Sequence, residues 1–70
     1  MSTDEQLSYE QARAELAEVV ERLEAGGATL EESLALWERG EQLADVCQAK
    51  LDGARAKLTE ARQAREARDT

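Results

Sequence analysis

Residues 23–40, LEAGGATLEESLALWERG, decide how this chain folds. Gly26 and Gly27 reach the left-handed backbone conformation at low cost, which is how helices commonly end. Thr29 follows as a predicted N-cap, and Glu32 stands three residues later, where it completes a capping box before an apolar run. Two helices joined by so short a turn must run nearly antiparallel. The stretch therefore predicts a helical hairpin.

The first helix is predicted to occupy residues 9–25, with Ser8 as its N-cap. Gln11, at the third position after Ser8, completes a capping box, and Glu10 lies in the first turn, where the helix dipole favours an anion. Apolar residues then recur in steps of three and four, with Val20 widening the stripe. These residues are Tyr9, Ala12, Leu16, Val19 and Leu23. This spacing indicates an amphipathic helix.

Composition supports an all-α fold, an antiparallel two-helix hairpin with a short first helix and a longer second one. The chain has no proline, its charged fraction is 36%, and its residues are those of long helices and coiled coils. We expect a disordered N-terminal segment at residues 1–7 and a hairpin domain at 8–62. That domain comprises the helix 9–25, a turn at 26–29 and a helix at 30–62. Residues 63–70 are expected to form a frayed basic end.

The second helix is too long for the first to cover. A helix over residues 9–25 spans roughly 25 Å, while one from Leu30 to about Ala67 spans roughly 57 Å, so the first helix runs out of reach near Val46. Each large apolar side chain left in water beyond that point forgoes about 1.5 to 3 kcal/mol. The pattern therefore predicts that another polypeptide lies there.

The apolar residues divide into two predicted sets. The expected hairpin core comprises Tyr9, Leu16, Val20, Leu23, Leu30, Leu34 and Trp37. The expected partner interface comprises Leu36, Gly40, Leu43, Cys47, Leu51 and Leu58. Glycine inside a helix costs about 0.5 to 1 kcal/mol relative to alanine. Gly40 indicates either that another backbone or a bulky side chain approaches closely or that the cost is simply tolerated.

Charge is unevenly distributed along the chain, whose net charge is -7. Residues 1–45 carry twelve acids and three bases, a net charge of -9, whereas residues 46–70 carry four acids and six bases, a net charge of +2. A contact with a polyanion would therefore lie near the C-terminus. Arg62, Arg65 and Arg68 are typical of a solvated helix end, and a weak contact with a nucleic-acid backbone is the alternative.

The chain offers little for catalysis, so we expect no catalytic, cofactor-binding or metal-binding residue. It has no histidine, and its carboxylates lie on predicted polar helix faces. Cys47, the single cysteine, lies on the apolar stripe and is expected to behave as a small buried hydrophobe. The longest apolar run, residues 34–37, is too short to span a membrane. A lone thiol and a polar N-terminus fit a cytoplasmic location.

Four short motifs occur in a fixed order along residues 8–58. They are Leu23-Glu24-x-Gly26, Leu30-Glu31-x-Ser33-Leu34, Glu38-x-Gly40 and Cys47-Gln48, after an opening Ser8-Tyr9-Glu10. At these separations the set resembles the small-subunit family of bacterial exodeoxyribonuclease VII. The resemblance covers most of the chain and implies a two-helix hairpin that associates in several copies with a large catalytic subunit.

The resemblance also implies a function. The complex would degrade single-stranded DNA from both ends to acid-soluble oligonucleotides without an obligatory metal, and its active site would lie on the large subunit. This chain would then be non-catalytic and would contact single-stranded DNA only through the complex. Apart from the resemblance, the uncovered apolar stripe predicts a homo-oligomer when the chain is isolated. Two alternatives remain open, a stand-alone dimeric coiled-coil adaptor without a nuclease role and a nucleic-acid binder that uses the arginine tail.

Overall fold

The computed structural model describes residues 6–69 and consists of two helices. The helix α1 spans Tyr9–Ala25, and the helix α2 spans Leu30–Asp69. No strand occurs among the described residues. The two helices pack against each other along α1, which confirms the predicted all-α hairpin with a short first and a longer second helix. No helix in this part of the chain is both long enough and apolar enough to cross a membrane.

Side-chain caps begin both helices. The Gln11 backbone N–H donates to Ser8 Oγ at 3.1 Å, and the Ser8 backbone N–H donates to Gln11 Oε1 at 2.9 Å, which completes the predicted capping box of α1. At the start of α2 the Glu32 backbone N–H donates to Thr29 Oγ1 at 3.1 Å, as expected of an N-cap. These bonds satisfy backbone donors that a helix N-terminus leaves without an intrahelical partner.

The turn between the helices depends on two glycines. Gly26 and Gly27 have φ values of 73° and 81°, and both lie in the left-handed region that glycine enters without a Cβ penalty. A Cβ atom at either position would meet no heavy atom within 4 Å. Glycine is therefore required here by backbone conformation and not by crowding.

The core lies between the facing stripes of α1 and α2. Its buried residues are Ala12, Val19 and Leu43. Half-buried apolar side chains that pack against them are Leu7, Leu16, Leu23, Leu36, Val46 and Cys47. The stripe on α1 runs through residues 12, 16, 19 and 23, and the stripe on α2 runs through residues 36, 40, 43 and 47. Both follow the 4-3-4 spacing of coiled-coil seams.

Gly40 lies where these two stripes meet. A Cβ atom built at Gly40 would lie 3.5 Å from Val19 Cγ1 and 3.8 Å from Leu16 Cδ1. The bulky neighbours that the glycine suggested are therefore side chains of α1 in the same chain.

The length difference between the helices leaves much of α2 without a neighbour. With 17 residues in α1 and 40 in α2, the helices span roughly 25 Å and 60 Å, and the molecule is 61 Å long. We call α1 together with residues 30–47 of α2 the body, and residues 48–69 of α2 the extension. Every residue from 48 to 68 is exposed.

The chain ends differ in part from the expectation. Leu7, in the segment 1–7 that was predicted to be disordered, packs against the core, because α1 begins at Tyr9 and brings it alongside α2. Residues 1–5 and 70 lie outside the described residues. The helix α2 continues beyond residue 62 to Asp69. The predicted domain boundary at residue 62 and the predicted fraying of residues 63–70 both stay predictions.

Candidate functional site

The most prominent surface feature is a set of large apolar side chains that the hairpin does not cover. Four lie on the body and form what we call the body patch, namely Val20, Leu30, Leu34 and Trp37. Two lie on the extension, Leu51 and Leu58, and form the extension stripe. Leu30 is 78% exposed, Trp37 62% and Leu58 66%. Exposure on this scale is unfavourable in water, so these side chains mark a surface suited to protein contact.

The body patch borders an open groove between α1 and α2. Val20 on α1 and Trp37 on α2 both line this groove, which has a volume of about 190 Å³. Core residues of the two stripes line it as well, and Glu41 adds a carboxylate. A further helix laid along this groove could therefore contact both helices of the hairpin at once.

A seven-residue repeat connects the body patch to the extension stripe. From position 30 to position 58, every seventh residue of α2 is apolar: Leu30, Trp37, Ala44, Leu51 and Leu58. A strict heptad drifts only about 20° per repeat around a straight helix, so these residues form one slowly turning line along α2. This repeat is visible in the sequence alone and indicates one continuous apolar line that the predicted division into core and interface residues had split.

Four of the seven predicted core residues are exposed, and for them the prediction was wrong. These are Val20, Leu30, Leu34 and Trp37. Leu16 and Leu23 do pack against the core, and Tyr9 is half-buried at the start of α1. The physical reason is that α1 contacts a different face of α2, about 90° round the helix from Trp37. On that face Gly40 leaves room for the side chains of α1.

The same choice of face corrects the predicted partner interface. Leu43 is fully buried inside the hairpin, Leu36 and Cys47 pack against the core, and Gly40 faces Val19. These four positions belong to the hairpin itself, since α1 covers them. Leu51 and Leu58 stay exposed, and their role in binding a partner stays a prediction.

The body and the extension carry opposite charge. Residues 9–47 contain ten acids and three bases, a net charge of -7, and residues 48–69 contain four acids and six bases, a net charge of +2. One of the three bases of the body, Arg39, donates from Nε to Glu15 Oε2 at 2.6 Å and so joins α2 to α1. Arg39 also donates to Gln42 Oε1 at 3.2 Å. The surface of the body is therefore predominantly acidic, and Glu41 lines the same groove as Val20 and Trp37 of the body patch.

Other chemically active groups are few in residues 6–69. No group of three or more histidine, cysteine, aspartate or glutamate side chains in this range could hold a metal ion. Cys47 is a free, half-buried thiol packed against the core. No buried side-chain nitrogen or oxygen within the described residues lacks a hydrogen-bond partner.

Comparison with known families gives a match along most of the hairpin. A family model described as exonuclease VII small subunit matches residues 9–60. This range includes all of α1, the turn and α2 as far as the extension stripe. It therefore contains both the body patch and Leu51 and Leu58.

Individual relatives agree with the family model. The exodeoxyribonuclease 7 small subunit of Streptomyces coelicolor is 78% identical over 54 residues, which are 77% of this chain and 61% of that protein. The protein of the same name from Mycobacterium leprae is 56% identical over 61 residues, which are 87% of this chain and 78% of that protein. In four relatives that are more than 70% identical to this chain, including the Streptomyces coelicolor protein, the matched region spans 54% to 65% of the relative's length. The chain therefore matches less than two thirds of the length of these relatives. No solved structure matches the chain.

Proposed function

The chain belongs to the exonuclease VII small subunit family, and we propose that it is the non-catalytic small subunit of an exodeoxyribonuclease VII. In this proposal it binds a large catalytic subunit, and the complex degrades single-stranded DNA from both ends to acid-soluble oligonucleotides. The chain would contact DNA only through the complex. It would act in the cytoplasm, where a single free thiol suits the reducing conditions.

One observation carries the proposal: the extension presents Leu51 and Leu58 as exposed apolar side chains, with exposures of 38% and 66%. Burying one large apolar side chain contributes about 1.5 to 3 kcal/mol, so a helix of the large subunit packed there would gain substantially. The two leucines are seven residues apart, which places them on one face of the extension. Ala54 lies between them, so Leu51, Ala54 and Leu58 have the 3-4 spacing that a coiled-coil seam requires.

The residue content supports a non-catalytic role. The sequence contains no histidine, the side chain that most often transfers protons in hydrolysis. The carboxylates of the extension, such as Asp52 and Glu60, lie on an exposed helix surface. We therefore assign phosphodiester hydrolysis to the large subunit.

Co-purification with the large subunit tests the proposal. The test variant carries Leu51→Asp and Leu58→Asp, and the matched control carries Ala49→Asp and Ala56→Asp. Both pairs are seven residues apart, all four positions are exposed, and both pairs add the same charge. The control pair lies on roughly the opposite face of the extension.

We expect the control to co-purify with the large subunit and the leucine variant to be lost from it. The eluted complex is then assayed on single-stranded and double-stranded DNA in excess EDTA, where digestion should be confined to the single strands. Equal recovery of the two variants would contradict the assigned interface. Recovery of the small chain alone, without nuclease activity, would favour a self-associating adaptor instead.

A further inference from the structure

We propose that the body patch of one copy binds the extension of a second copy, so that two chains associate head to tail. This goes beyond the proposed function, because it concerns contacts between small subunits and not contacts with the large one. The inference starts from the two apolar surfaces that α2 leaves exposed, one on the body and one on the extension.

The two surfaces match in spacing. Leu30 and Trp37 are seven residues apart on the body, and Leu51 and Leu58 are seven residues apart on the extension. Seven helical residues rise about 10.5 Å, so the side chains of one surface recur at the same interval as those of the other. Leu30, Ser33, Leu34 and Trp37 together have the i, i+3, i+4, i+7 spacing of a hole that receives a leucine knob.

The groove beside the patch gives the extension a place to lie. Val20 and Trp37 line that groove, which runs between the two helices of the body. The 22 residues of the extension span roughly 33 Å, and the 18 residues of α2 in the body span roughly 27 Å. The extension is therefore long enough to lie along the whole body and form a three-helix arrangement with it.

Charge selects this pairing over the symmetrical ones. Glu41 and Asp45 lie within about 80° of the apolar line on the body, and Arg55, Arg62 and Arg65 lie within about 50° of the extension stripe. Two extensions packed together would bring arginines against arginines, and two body patches would bring carboxylates against carboxylates. Only a body with an extension brings opposite charges together.

A head-to-tail contact uses a different surface on each chain. It is therefore a heterologous interface, which leaves one extension and one body patch open in every pair. The open extension stays available to the large subunit. Within one pair the large subunit can therefore bind only the chain whose extension is open, because the body of that chain already covers Leu51 and Leu58 of the other copy.

A complementation experiment on the isolated full chain tests the inference. Trp37→Lys damages the body patch and leaves the extension intact, whereas Leu58→Glu damages the extension and leaves the body patch intact. Both positions are more than 60% exposed, so the hairpin should fold in both variants. Far-UV circular dichroism checks this, and Leu34→Lys replaces Trp37→Lys if the tryptophan variant has lost helix.

We expect the wild-type chain to associate in sedimentation equilibrium, and each variant alone to associate about tenfold or more weakly. An equimolar mixture should recover heterodimers, because the intact extension of Trp37→Lys can bind the intact body of Leu58→Glu. Ala56→Glu, on the opposite face, should associate like the wild type. Raising the salt concentration should weaken the wild-type association.

Three outcomes would overturn the inference. A wild-type chain that stays monomeric would remove the contact altogether. Variants that associate as strongly as the wild type would place the contact elsewhere. A mixture that recovers no heterodimer would show that the two surfaces do not bind each other. None of these results depends on the large subunit, so this test is independent of the co-purification test.

Discussion

The Cβ position of Gly40 lies 3.5 Å from Val19 Cγ1, which makes this pair the closest approach recorded between a glycine of α2 and a side chain of α1. The distance is that of an ordinary van der Waals contact, so there is room for one methyl group. The packing of the two helices therefore depends on a small side chain at residue 40, but not on glycine itself.

Gly40→Ala should stabilise the isolated hairpin. Glycine in a helix interior costs about 0.5 to 1 kcal/mol relative to alanine, and the new methyl group would contact Val19 without displacing it. Urea unfolding followed by circular dichroism measures the change. Gly40→Leu is the contrasting variant and should destabilise the hairpin, because the larger side chain would have to push α1 away. If Gly40→Ala destabilised the hairpin instead, the two helices would have to be closer together than the 3.5 Å between Val19 Cγ1 and a Cβ atom at residue 40 indicates.

Leu43→Ala should destabilise the hairpin more than any substitution on the exposed surface. Leu43 is fully buried, and removing a buried leucine side chain costs about 2 to 5 kcal/mol. A single core in a chain of this size rarely supplies more than about 3 to 5 kcal/mol, so this variant should be largely unfolded. Leu58→Ala is the matched control and should change the stability of the isolated chain little, since Leu58 is 66% exposed. Similar losses in both variants, measured by thermal unfolding, would contradict the assignment of Leu43 to the core.

The two kinds of glycine in this chain should respond in opposite directions to alanine. Gly26 has a φ of 73°, where a Cβ atom costs roughly 1 to 2 kcal/mol, so Gly26→Ala should destabilise the hairpin. Gly53 lies within α2 and a Cβ atom there would meet nothing within 4 Å, so Gly53→Ala should raise the helix content of the extension. Circular dichroism during thermal unfolding measures both. A Gly26→Ala variant as stable as the wild type would mean that the turn adopts another conformation.

Local structure could be predicted from the sequence because its signals are local. The paired glycines at 26 and 27, and the caps at Ser8 and Thr29, each act within three or four residues. The face of α2 that packs on α1 could not be predicted in this way. Both faces are apolar, and the larger side chains Leu34 and Trp37 lie on the face that α1 leaves uncovered.

The packed face is decided by fit between the helices. Ala12 and Gly40 are small, and they allow the two backbones to approach along the stripe that contains Leu43. The 4-3-4 spacing that both helices share indicates this stripe, whereas side-chain size alone favours the other. The contact between Glu15 and Arg39 joins residues 24 positions apart, so no spacing rule within one helix could reveal it.

The ion pair between Glu15 and Arg39 should contribute little to stability. Its side chains are 38% and 31% exposed, and exposed pairs typically contribute about 0.2 to 1 kcal/mol. A double-mutant cycle with Glu15→Gln and Arg39→Gln measures the coupling energy by urea unfolding. We expect the coupling to fall as salt is added, since solvent ions screen a pair of this kind. A coupling energy of several kcal/mol would mean that the pair is much less exposed to water than its 38% and 31% side-chain exposures indicate.

Trp37 should report directly on whether the body patch is covered. It is the only tryptophan in the chain, and it is 62% exposed in the isolated hairpin. At dilutions where the chain is monomeric, its fluorescence should be that of an indole in water and should be quenched readily by acrylamide. As the chain concentration rises, an extension from a second copy would bury the indole, because Trp37 lies at the edge of the groove beside Val20. The emission should then shift to shorter wavelength and the quenching should weaken.

The Leu58→Glu variant supplies the control, since it retains Trp37 but should show no such shift over the same concentration range. A blue emission that does not change on dilution would mean that Trp37 is already buried within a single chain.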